Sequence, residues 1–171
     1  MKNKSFPFEL KNNNSYQIKP VEFENGNIYF GQWNDKFEME GHGKYYIKEE
    51  NVFAEGIWEQ GELKKARIFY PNGEFYEGEM NNSNYHGKGK LITQKYEFNG
   101  EFVEGEKNGN GTIIFKDETK YSGNFSNNNF NGYGNMLWTN NNLEYVGYFK
   151  DNTLEGNGVL FNKEGEKYEG I

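Results

Sequence analysis

The sequence predicts an all-β fold: an elongated, single-layer ribbon of antiparallel β-hairpins, with about six full repeats and a partial one. Three observations predict it. A signature of ring, any residue, glycine, any residue, large apolar residue recurs down the chain, its glycines falling at 31, 56, 78, 100, 123, 147 and 170. Their spacing of 22 to 25 residues is the period of a stacked array, which outranks local propensity. Five of the seven copies are followed nine or ten residues later by Gly-x-Gly and an apolar run, as in Gly109-Asn110-Gly111 before Ile113-Ile114-Phe115. Finally, 18% of the residues are aromatic although the mean hydropathy is only -1.05. Disordered chains lack rings, so the apolar payload is concentrated in a thin core.

The elements follow in chain order. Phe8-Glu9-Leu10 and Tyr16-Gln17-Ile18 flank Asn12 to Ser15, so residues 1–20 read as an N-terminal arm or degenerate hairpin capping the first edge, which would otherwise invite aggregation. Residues 21–171 form the repeat array. In each unit two β-rich stretches joined by a short polar loop make a hairpin, and period-two alternation puts ring, glycine and large residue on one face. That packing face is assigned to Tyr29, Trp33, Trp58, Tyr76, Phe98, Phe102, Tyr121, Phe125, Tyr145, Phe149 and Tyr168. The opening-strand glycines are Gly31, Gly56, Gly78, Gly100, Gly123, Gly147 and Gly170; the return strands carry Gly41, Gly43, Gly87, Gly89, Gly109, Gly111, Gly132, Gly134, Gly156 and Gly158. A mid-strand glycine weakens a hairpin, so its recurrence implies room for a ring from the adjacent strand, and Gly-x-Gly is expected to serve the same close approach. No segment has capped helical periodicity, so almost no helix is expected. About a dozen strands at roughly 4.8 Å give a rod on the order of 60 Å long.

Composition weighs against several function classes, leaving membrane contact possible but disfavoured by charge. The net charge is -7 and Arg67 is the only arginine, whereas nucleic-acid and anionic-lipid binders concentrate basic charge. Cysteine is absent, so there is no disulfide framework or thiolate metal site. The opening residues Met1 to Pro7 carry no leader-like apolar run, and no segment has the length of a membrane span; a soluble, cytoplasmic protein is expected. His42 and His86, the two histidines, sit in different repeats with no ligand set or nucleophile converging on them, so no catalytic, metal or cofactor-binding residue is assigned. The Gly-x-Gly pairs lack the third glycine and following helix of a phosphate loop. The asparagine runs at 12–14, 127–129 and 140–142 read as loop filler.

Tyr76-Glu77-Gly78-Glu79-Met80, Tyr168-Glu169-Gly170 and His86-Gly87-Lys88-Gly89 carry a family likeness: the chain resembles the MORN (membrane occupation and recognition nexus) repeat over about Val21 to Ile171. The resemblance implies an antiparallel ribbon with a grooved face, and work in scaffolding, dimerisation or docking of partner segments. The asparagine-rich composition looks protist-like, and similar proteins of that kind occur in cilia as radial-spoke or other axonemal components. The resemblance therefore implies a non-enzymatic scaffold that docks subunits of a large cytoskeletal or ciliary assembly; the alternative is a membrane- or phosphoinositide-associated adaptor.

Departures from the repeat mark this particular chain. Ala54 replaces the ring of the second unit, and Lys65-Ala66-Arg67 stands where Gly-x-Gly is expected, making Lys64, Lys65 and Arg67 the one tight basic cluster. Phe30, Ile57, Val146 and Tyr148 are apolar at outward positions that elsewhere hold Glu, Asn or Ser. They are the candidate partner contacts, the competing explanation being cover by the arm or a neighbouring strand. Ile171 follows an opening strand with no return strand: either the chain is a fragment, or its last edge takes another chain by strand addition.

Overall fold

The computed structural model describes residues 16, 17 and 19–170. The readings placed on residues 1–15, 18 and 171 lie outside the described residues. Strands β1 (Tyr16–Gln17) and β2 (Val21–Glu22) both pair with β3 (Ile28–Trp33). From there each strand pairs with its chain neighbours, through β4 (Met39–Ile47), β5 (Val52–Glu59), β6 (Glu62–Phe69), β7 (Phe75–Asn81), β8 (Asn84–Ile92), β9 (Tyr96–Val103), β10 (Glu106–Phe115), β11 (Lys120–Ser126), β12 (Asn129–Trp138), β13 (Leu143–Lys150), β14 (Thr153–Phe161) and β15 (Lys167–Gly170). All pairings are antiparallel, in one open sheet. The one helical element among the described residues is a 3-10 turn at Thr139–Asn141.

Register lines the second-signature glycines up with the first. Gly31 pairs with Gly43, Gly43 with Gly56, and the row continues through Gly78, Gly89, Gly100, Gly111, Gly123, Gly134, Gly147 and Gly158 to Gly170. Its one interruption is Ala66, between Gly56 and Gly78. The position matching Gly-x-Gly in this hairpin is thus Lys64-Lys65-Ala66, one residue earlier than expected, because its bulge holds a single extra residue where the third hairpin's holds two.

Each opening-strand ring of Tyr29, Tyr76, Phe98, Tyr121 and Tyr145 covers two glycines, the one two residues on in its own strand and that glycine's partner in the adjacent return strand. A Cβ on Gly134 would lie 2.5 Å from Cε2 of Tyr121, whose ring also covers Gly123 two residues ahead of it. The tyrosine hydroxyls then donate to the carbonyl three residues on: Tyr29 to Gln32 (3.0 Å), Tyr76 to Glu79 (2.6 Å), Tyr121 to Asn124 (2.8 Å) and Tyr145 to Tyr148 (3.3 Å). Burial raises the Tyr121 phenol to about 12, against the opposing bond to Asn124, so the hydroxyl stays a donor at physiological pH. Where the ring is missing at Ala54, no ring needs a bare backbone opposite, and Ala66 is accommodated. The two changes belong together.

The first glycine of each pair has a different task. Gly41, Gly87, Gly109, Gly132 and Gly156 all have positive φ and sit where the hairpin register shifts. These are bulges, and Gly-x-Gly divides its labour between bulge and close approach. At Gly87 the bulge is closed by Glu79, whose carboxylate accepts from the Lys88 N–H at 3.3 Å.

The rings of successive hairpins meet edge to face along the ribbon. Tyr121 contacts Phe125 at 5.2 Å and Phe149 of the next hairpin at 4.9 Å between centroids. Tyr29, Trp33 and Trp58 form a separate buried group, and the remaining core runs from Val52 to Phe149. An isolated hairpin is marginal in water, so this inter-hairpin burial is what makes the array stable.

Asparagine at the hairpin tips is structural, which corrects its reading as filler. Asn127 and Asn128 have φ of 47° and 69°, the left-handed pair of a type I′ turn that asparagine tolerates better than most residues. Asn128 also donates its N–H to the Lys107 carbonyl (3.0 Å) and accepts from the Lys107 N–H through Oδ1 (3.0 Å). Asn152 repeats the arrangement on Phe130. Asn128→Ala is expected to cost about 1–2 kcal/mol in urea unfolding, combining the lost bond with left-handed strain; an unchanged midpoint would contradict that role.

Candidate docking groove

Residues between ring and glycine point to the opposite face, where register forms a second row. Phe30 pairs with Lys44, Lys44 with Glu55, Glu55 with Arg67, Arg67 with Glu77 and Glu77 with Lys90. From Lys44 onward the sign alternates at every step. Arg67 Nε donates to Glu77 Oε1 at 3.0 Å, while Arg67 Nη1 stays 3.9 Å from Glu55 Oε1. Beside this ladder runs an apolar row of Ile28, Tyr46, Phe53, Phe69, Phe75 and Ile92. Phe69 lies 5.9 Å from Phe53 and 5.1 Å from Phe75, ring to ring, and is 41% exposed.

A groove of about 490 Å³ opens on this face over β3 to β7, with Phe30, His42, Lys44, Glu55, Ile57, Lys65, Arg67 and Glu77 among its walls. Glu55 is buried, and neither carboxylate oxygen has a hydrogen-bond partner. Desolvation raises its pKa above the ordinary glutamate value, against the pull of Arg67 and Lys44. A glutamate with a raised folded-state pKa contributes stability that is present below the unfolded value and lost as pH rises through the folded one. Glu55→Gln, neutral throughout, is therefore expected to melt higher than wild type at pH 7. The difference should close as pH falls below the ordinary glutamate range; a pH-independent difference would contradict it.

Among the candidate contacts, Phe30 and Ile57 come together in this groove. Val146 and Tyr148 lie on β13 instead, where Tyr148 meets Tyr133 at 5.4 Å in an edge contact and both rings are more than half exposed. Of the packing rings, Tyr29, Trp33, Trp58, Tyr76, Phe98, Phe102, Tyr121, Phe125, Tyr145 and Phe149 are buried. Tyr168, grouped with them by its motif, is 56% exposed, since among the described residues β15 has a neighbour on one side only. His42 pairs with Ile57 and His86 with Glu79, two hairpins apart. In the basic cluster, Lys64 pairs with Glu62 at 2.5 Å and Arg67 with Glu77, which neutralises most of the charge an anionic lipid would meet. No helix among the described residues is long and apolar enough to cross a membrane.

Comparison with known families decides the class. The MORN repeat model matches residues 76–95, 98–120, 121–143 and 145–165, four consecutive units covering half of the chain. The chain belongs to the MORN-repeat family. Its β7–β14 hairpins carry the matches, whereas the groove lies mostly on β3–β6, outside the matched residues, where the β5–β6 hairpin departs from the pattern at Ala54 and Lys64-Lys65-Ala66. The family pattern accounts for the ribbon, and this chain's own residues account for the groove. None of the curated proteins matches the sequence. Among solved structures, the TCP domain of SAS-4 (dCPAP) of Drosophila melanogaster, in complex with a proline-rich motif of Ana2 (dSTIL), is similar at a TM-score of 0.55 and 10% identity, covering 100% of this chain and 98% of that one. The G-box domain of the microcephaly protein CPAP aligns at a TM-score of 0.46 and 11% identity over 89% and 84%. The first of these likenesses is one of fold alone.

Proposed function

We propose that the chain is a non-enzymatic scaffold that docks segments of partner subunits on the face opposite its ring core, within a cytoskeletal or ciliary axonemal assembly. One observation carries this reading: a groove lined by a charge ladder, beside a partly exposed apolar row, on a ribbon whose other face is consumed by packing. Apolar area flanked by polar groups is what a recognition surface offers. The MORN repeats support a protein-interaction role. The similar Drosophila domain is in complex with a proline-rich motif of another protein, which supports a segment of a partner protein as the ligand. The axonemal setting rests on the family resemblance. Native purification with cryo-EM of the recovered complex tests the proposal: partner density along β3–β8 is the expected result, and recovery solely as a free monomer would overturn it.

A further inference from the structure

We infer that the groove over β3–β7 is an arginine-reading subsite, in which Glu55 receives the guanidinium of a partner segment while an apolar neighbour of that arginine rests on Phe30 and Ile57. The inference rests on the docking reading above. Glu55 is 7% exposed, and both of its oxygens lack a donor although they line an open groove. A buried carboxylate without donors is costly, and native structures satisfy nearly all such groups. The arginine that faces it across the strands does not meet the need: Arg67 gives its Nε to Glu77 and stops 3.9 Å short of Glu55. Lys65 is exposed to solvent.

Two vacant oxygens on one carboxylate match the two parallel N–H groups of a guanidinium. Arginine is also more weakly hydrated than lysine, so less is lost when it enters a partly dry groove. A neutral amide would fill the lone pairs but add no positive charge to the distant pull of Arg67 and Lys44. Phe30, 38% exposed, and Ile57 supply the apolar wall. Both stand at positions occupied by polar residues in most other repeats, so an apolar wall and a buried carboxylate coincide here.

The test selects peptides from a random display library on the full chain, then measures the enriched peptides by fluorescence polarisation. Wild type is compared with Glu55→Gln, and each peptide with its arginine-to-citrulline version. The expected result is an arginine beside an apolar residue in the enriched peptides and a loss of about tenfold or more from either change. No further loss is expected when both are combined, the signature of a direct pair. Glu97→Gln, outside the groove, should bind as wild type. The citrulline peptides keep the test valid if the protein variant folds poorly. Failure to enrich arginine, or equal binding to Glu55→Gln, overturns the subsite. So does a rise in affinity for all peptides alike on removing residues 1–15, which would make the chain's own N-terminal segment the occupant. Self-association that Glu55→Gln abolishes would make a second copy the occupant and overturn the subsite equally. If native partners are captured equally by wild type and Glu55→Gln, the subsite falls while the scaffold reading stands.

Discussion

Gly123→Val is expected to destabilise the protein by more than about 3 kcal/mol, beyond the usual range for an overpacked site. Valine is among the best strand formers and glycine among the worst, so propensity alone predicts a gain. Sterics decide the opposite. A Cβ on Gly123 would lie 2.6 Å from the Gly134 Cα, 2.7 Å from the Tyr133 carbonyl oxygen and 2.6 Å from Tyr121 Oη. Two of those neighbours are backbone of the paired strand, which cannot rotate away. Because stability in a repeat array is carried between neighbours, the damage should also divide the ribbon. Amides of β12–β15 are expected to exchange faster than those of β7–β10, and the single thermal transition to split. Gly156→Val is the control: no atom lies within 4 Å of its Cβ position, and only the φ of +67° is unfavourable, so the cost should stay near 1–2 kcal/mol. Equal effects at the two sites would show that conformational freedom, rather than close approach, explains the glycine row.

The recurrence of that glycine makes the ribbon legible from sequence. Period two assigns the faces, and pairing glycine with glycine sets the register of β3 through β15. Once this register is drawn, the outward row can be read too: Glu55 faces Arg67, Glu77 faces Lys90, Ser122 faces Asn135 and Val146 faces Val159. Matched pairs of this kind were a signal available in the sequence, hidden because each pair is separated by a bulge of one or two residues. The bulges themselves look like ordinary Gly-x-Gly. Only backbone dihedrals separate Gly87, which needs left-handed space, from Gly89, which needs the absence of a side chain. The state of Glu55 was beyond sequence reasoning for another reason. Its desolvation is a property of a groove assembled from five strands, and at the same repeat position Glu77 is ion-paired while Glu169 is exposed. Asn128 was obscured by composition, since its role depends on a carbonyl and an amide of Lys107, in the previous hairpin.

Tyr121→Ala carries the other large expected effect, a loss of about 3–5 kcal/mol. Its side chain is fully buried and stacks on Phe130 at 4.0 Å while meeting Phe125 and Phe149 edge on. Removing it opens a cavity over Gly123 and Gly134 that no neighbour can fill, because the backbone below is bare. Tyr121→Phe isolates the hydroxyl. It should cost only about 1 kcal/mol, the value of one neutral hydrogen bond to the Asn124 carbonyl. The fourth hairpin supplies the reverse experiment, since Phe98 occupies the same slot over Gly100 and Gly111 without a hydroxyl. Phe98→Tyr would place its Oη toward the Glu101 carbonyl, matching the four tyrosines that already make this bond, and is expected to stabilise by up to about 1 kcal/mol. Urea unfolding of the three variants against wild type gives the order Phe98→Tyr, wild type, Tyr121→Phe, Tyr121→Ala. Were Tyr121→Phe to cost as much as Tyr121→Ala, the hydroxyl rather than ring burial would hold the hairpins together, and the ring core would be misassigned.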